Sequence, residues 1–71
     1  MTANEDDLGL VNPIVQQTSG EGVTVETIAT ILGMDVARVR AALIELSHEK
    51  MVRRKRGPDG RLDHWVPFEW G

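Results

Sequence analysis

Six of the eight basic residues of this 71-residue chain fall between positions 50 and 61: Lys50, Arg53, Arg54, Lys55, Arg56 and Arg61. Side chains of these types at this density bind anions, arginine as a rigid fork matched to phosphate or carboxylate and lysine as a compact point charge. Four of the six are consecutive, and like charges so close repel one another unless something opposes them. The other two cations, Arg38 and Arg40, lie shortly before. Nothing beside them suits bond-making chemistry. There is no phosphate-cradling glycine loop and no nucleophile next to a base, and there is no cysteine to ligate a metal. His48 and His64 are too far apart for a recognised ligand spacing. No catalytic residue, metal or cofactor is expected, and a chain this short leaves little room for a deep catalytic cleft.

The formal net charge is −3, which hides how the charges are distributed. Residues 1 to 35 carry Glu5, Asp6, Asp7, Glu21, Glu26 and Asp35 with no Lys or Arg, so that half is −6. Residues 36 to 71 set eight basic residues against Glu45, Glu49, Asp59, Asp63 and Glu69, giving +3. Such a division points to an anionic partner for the second half. The opening MTANEDDLGL has neither a basic leader nor a long apolar run, and no apolar stretch approaches the roughly 18 residues of a membrane span. The expectation is a cytoplasmic protein with no membrane partner.

The elements that must position these cations follow from local signals. MTANEDD, residues 1 to 7, is polar and without periodicity and reads as a flexible acidic tail, leaving residues 8 to 71 as one domain. Leu8, Val11, Ile14 and Val15 have helical spacing interrupted by Pro13. Asn12 as cap with Pro13 at the first helical position predicts a short helix over 13–18, against a longer kinked helix from Asp7. SGEG ends either one. Val23 to Val25 can add one rung to a small sheet. Thr24 then caps a helix of about eight residues that Gly33 terminates. Asp35 caps a second helix, running to about Glu49, with Val36, Val39, Leu43 and Leu46 on one face. Two strand-like runs flanking Gly57–Gly60 predict a hairpin closed by a type I turn with a glycine bulge, its second strand ending at Pro67. Met51, Val52, Leu62 and Trp65 would attach that hairpin to the core.

VETIATILGMDVARVRAAL carries a resemblance. Ala29, Gly33 four residues later, and Val39 beyond the turn, with Ile28, Leu32 and Met34 filling the angle, resemble the helix-turn-helix of DNA-binding proteins. Followed by a basic hairpin, the stretch from about Val23 to Phe68 is similar to the winged-helix family. Small pilus-operon regulators of the FaeA/PapI type are similar in length and spacing, and Z-form nucleic-acid-binding and MarR-like domains share the pattern more loosely. The resemblance implies an α+β fold, a three-helix bundle with a β-hairpin wing, and transcription regulation by binding double-stranded DNA. It places Asp35–Glu49 in a major groove, with Ala37, Arg38, Arg40 and Ala41 near bases or phosphates, and sets Arg53, Arg54, Lys55, Arg56 and Arg61 on the backbone. A module this small would need a homodimer, a repeated site or a larger protein partner on DNA for useful specificity. Many members place glycine where Lys50 stands; if that position is left-handed, lysine costs about 1 kcal/mol there.

Other readings compete with these. Cations on an edge strand also block sheet-to-sheet aggregation, and an acidic first half would suit a protein-interaction module within a larger assembly. Either Arg38 or Arg40 could be consumed by an acidic neighbour, and Arg38 is the one expected to stay free. Trp65 could stack on bases or close the sheet against the helices, the second being expected. Trp70 would be a core plug or an exposed anchor. His64 beside Asp63 is expected at a surface or edge.

Overall fold

The structure, a computed structural model, describes residues 4–18 and 20–68. It is α+β. Helix α1 (Glu5–Gln16) leads to strand β1 (Val23–Thr24), then come helices α2 (Val25–Leu32) and α3 (Val36–His48), and strands β2 (Val52–Lys55) and β3 (His64–Pro67) complete the chain. The sheet is antiparallel in the order β1-β3-β2, with Val23 opposite Trp65 and Arg54 opposite Trp65 on the other side. No helix among the described residues is long and apolar enough to cross a membrane.

The first helix is the longer of the two expected, and it starts two residues before Asp7. It begins at Glu5, so the last residues assigned to the tail form its first turn, and Pro13 lies inside it. Asn4, not Asn12, is the cap: its side chain accepts the N–H of Asp6 at 2.9 Å. The acids Glu5, Asp6 and Asp7 then sit where the helix dipole favours negative charge. Proline in a helix interior forfeits one backbone bond and crowds the carbonyl four residues back, which belongs here to Gly9. The helix continues because Asp7, Val11 and Val15 are buried along one side, and tertiary packing outweighs local propensity.

The remaining elements follow their local signals. Thr24 Oγ1 accepts the N–H of Thr27 at 3.2 Å, and Gly33 ends α2 in the left-handed region at φ 66°. Asp35 takes the cap position of α3 in extended geometry, though without a side-chain capping bond. At the far end Lys50 has φ 60°, the one non-glycine residue with positive φ among those described. The Met51 N–H reaches the Leu46 carbonyl at 2.9 Å and the Lys50 N–H reaches Ser47 at 3.1 Å, a paired closure that requires left-handed geometry between them. The anticipated left-handed position is therefore present, and a lysine occupies it.

Val11 and Val15 from α1, Ile28 from α2, and Val39, Ala42, Leu43 and Leu46 from α3 meet Val52 and Trp65 of the sheet in one core. Trp65 is 3% exposed and closes the sheet on the helices, the expected alternative of the two. Val52 is fully buried, whereas Met51 and Leu62 are exposed, so only half of the residues expected to anchor the hairpin do so. Met51 precedes β2 and Leu62 lies in the loop before β3, so neither is held in the sheet.

Pro67 sits on the central strand, where a missing N–H would ordinarily break a ladder. Phe68 N–H donates to the Met51 carbonyl at 3.2 Å. Antiparallel pairs alternate between bonded and non-bonded, so the neighbouring pair Val52 and Pro67 is a non-bonded one. The nitrogen of Pro67 faces the side where β1 has already ended, and no bond is lost.

Candidate nucleic-acid interface

The helical repeat separates the two arginines of α3. Two residues at about 100° each place Arg38 and Arg40 on different flanks. Arg38 turns to α1, where its Nη2 donates to Asp7 Oδ1 at 2.7 Å and its Nε to Asp7 Oδ2 at 3.2 Å. Asp7 is only 4% exposed, so this side-on fork satisfies a buried carboxylate. The hydrogen bond to Asp7, and then the charge of Asp7, raise the Arg38 pKa above its ordinary value. Arg38 is thus the arginine consumed by an acidic partner, the reverse of the expectation; its side chain remains 57% exposed on the outer side.

Arg40 turns to the hairpin and makes no ion pair among the described residues. It lines an open groove of about 210 Å³ between the helices and the sheet, together with Arg54 and Trp65. Val25 and Glu26 at the start of α2, and Leu62 and Asp63 before β3, complete the walls. Arg54 lies over the Trp65 ring, 5.2 Å from its centroid, which orients the guanidinium and covers the indole. Trp65 is therefore a wall, with little surface left for stacking. Glu26, Leu62 and Asp63 were not among the expected site residues. Each sits at the start of an element or in the loop before one, and nothing local brings them to Arg40.

Strand alternation divides the hairpin cations as well. Val52, Arg54, Trp65 and Pro67 share the face toward the helices, while Arg53 and Lys55 take the other with Val66 and His64. Arg53 lies 5.8 Å over the Phe68 ring, and Lys55 Nζ donates to the Gly20 carbonyl. Of the five hairpin cations, the three on β2 are hence split between its two faces.

Arg56 and Arg61 belong to the tip. Gly60 N–H donates to the Gly57 carbonyl at 2.9 Å, Gly57 N–H to the Arg61 carbonyl at 2.8 Å, and Gly60 has φ 85°, the expected turn with its glycine bulge. Arg56 donates to the Gly60 carbonyl and Arg61 lies 3.8 Å from Asp59, both exposed. An exposed pair at that distance leaves Arg61 free to exchange partners. A Cβ on Gly57 would fall on the His64 ring, whose Nδ1 is 2.8 Å from Asp63 Oδ1. His64 is thereby half-buried beneath the turn and not a surface residue. Ala37 and Ala41 lie one turn apart on the outward side of α3, where Ile44 is also exposed. Trp70 lies outside the described residues.

The arrangement offers arginines from two elements to one groove, further arginines at a braced turn, and small side chains along the helix between the flanks. Glu26 and Asp63 counter part of that charge. No known family model matches the chain, and no curated protein matches it either.

Proposed function

We propose that this chain is a DNA-binding module of the winged-helix kind, a small transcription regulator of bacterial, plasmid or phage type. The convergence of Arg40 from α3 and Arg54 from the hairpin on one groove carries the reading, because a helix and a hairpin side by side are what a groove and its flanking phosphates engage together. In this reading α3 enters the major groove, Ala37 and Ala41 meet thymine methyls or leave room for close approach, and Arg40 reaches a base edge or a phosphate. Arg54, Arg56 and Arg61 hold the backbone. Arg38 contributes from its exposed side at the rim, and Arg53 and Lys55 on the far face add only long-range attraction. Of the acids of the first half, Asp7 is already neutralised by Arg38, and Glu26 is the one that faces the groove.

A titration of duplex DNA at rising salt tests the proposal. Four phosphate contacts, from Arg40, Arg54, Arg56 and Arg61, predict a log-log slope of about −3.6, at roughly −0.9 per contact. Absent or salt-independent binding sinks it.

A second reading rests on Glu26 and Asp63, which share the groove with the two arginines. A wall of mixed charge also suits a protein surface of mixed charge, and the module would then be an adaptor in a larger assembly. Reversing Arg54, Lys55 and Arg56 to glutamate separates the two: loss of duplex binding supports the first, loss of a protein complex alone the second.

A further inference from the structure

The far side of the molecule holds a second recess. Where the end of α3 meets β2 and the flank of α1, a notch of about 480 Å³ is lined by Asn12, Gln16, Lys50, Met51 and Phe68. Its apolar surface is open: Met51 is 43% exposed and Phe68 41%. The Gln16 amide donates to Asn12 Oδ1 at 3.0 Å and to the Met51 carbonyl at 2.9 Å, fixing one wall. Lys50 stands at the rim in its left-handed conformation, and Arg53 lies over the Phe68 ring. The notch is therefore an apolar floor flanked by two cations, on the face away from the Arg40–Arg54 groove.

The same chain carries a surface of the opposite kind. Along the outer side of α1, Asp6, Leu10 and Pro13 recur at helical spacing, all three exposed, with Leu10 at 50%. Asn12 and Gln16, which wall the notch, lie roughly 120° or more around the helix from Leu10. A chain therefore cannot seat its own stripe in its own notch. Pairing of β2 with β2 of a second copy is disfavoured, because Arg53, Arg54 and Lys55 would meet their own kind.

We propose that the notch receives the α1 stripe of a second copy of this chain, Leu10 against Met51 and Phe68, with Asp6 opposite the cations Arg53 and Lys50. The contact is head to tail, so a pair retains one unfilled notch and one unfilled stripe and the association is open-ended. The interface is small, well under the roughly 1,200 Å² of a stable complex, and is correspondingly weak alone. The inference does not depend on the DNA reading, although rows of copies would lengthen the short contact a single module makes.

The test uses the chain without DNA. In an amide NMR dilution series with sedimentation equilibrium alongside, the signals of Asp6, Leu10, Met51 and Arg53 move together with concentration, and salt weakens the change. D6K and R53E each weaken association several-fold, as reversal of an exposed pair should. Mixing the two variants, or combining both substitutions in one chain, restores it, and Leu10→Arg abolishes it without rescue. Circular dichroism of each variant separates loss of association from loss of fold. Concentration-independent spectra into the millimolar range, association indifferent to both reversals, or loss that the exchange of charges fails to restore each overturns the proposal. None of these outcomes bears on duplex binding.

Discussion

Arg38 and Arg40 stand two residues apart on one helix and do different work. Arg38 completes a buried carboxylate and ties α3 to α1 across 31 positions of sequence. Among the described residues Arg40 meets no carboxylate within ion-pair distance, and it lines a groove whose other cation comes from the hairpin. An arginine's role is set by what its flank of the helix faces. The corner at Asp7 is a structural joint with its charge spent, while the groove keeps charge unspent and is where a partner gains most.

That contrast can be broken most decisively at the groove. The double reversal Arg40→Glu, Arg54→Glu should lower duplex affinity by at least about a hundredfold at moderate salt and flatten the salt slope by about 1.8, the share of two contacts, with only the small fall in thermal midpoint that loss of the Arg54–Trp65 contact brings. Equal losses of affinity and of midpoint would erase the distinction. At the joint, Asp7→Ala should do the opposite. It removes the acceptor that Arg38 clasps, and a fall of several degrees in the midpoint, read by circular dichroism, should accompany only a minor change in affinity. A midpoint that does not move would mean that the pair is incidental.

Smaller effects sharpen the picture. Lys50→Gly should relieve the left-handed strain and stabilise the fold by about 1 kcal/mol in denaturant unfolding, with groove binding unaffected. A loss of stability there would mean that the lysine stem packs in a way that outweighs its backbone. Glu26→Gln takes one negative charge out of the groove and should raise duplex affinity a few-fold at low salt, the gain shrinking as salt rises. If affinity falls instead, Glu26 contacts a base amine or orients Arg40.

The middle and end of the chain were legible because their signals are local. Thr24, Gly33 and Asp35 mark helix ends within one turn, and Gly57 to Gly60 encode their own turn. The start is less legible because Pro13 is the loudest local signal there, and burial of Asp7, Val11 and Val15 overrules it from a distance. One acid of an apparently featureless tail is a buried anchor, and no pattern among residues 1 to 10 distinguishes it from its neighbours. The partner of Arg38 was hidden for the same reason. The split of the basic run was legible in principle, since alternation along a strand sends Arg53 and Lys55 one way and Arg54 the other. Treating the run as a sum of charges concealed it.

The braced hairpin has a thermodynamic consequence. Its turn is closed by two backbone bonds, Gly57 sits too close to the His64 imidazole to leave room for a Cβ, and Lys55 is fastened to the loop before β1. An arm that needs no ordering on contact gives up little conformational freedom. Calorimetry of complex formation should therefore show a heat capacity change no larger than the buried apolar surface accounts for, without the added increment of a segment that folds as it binds.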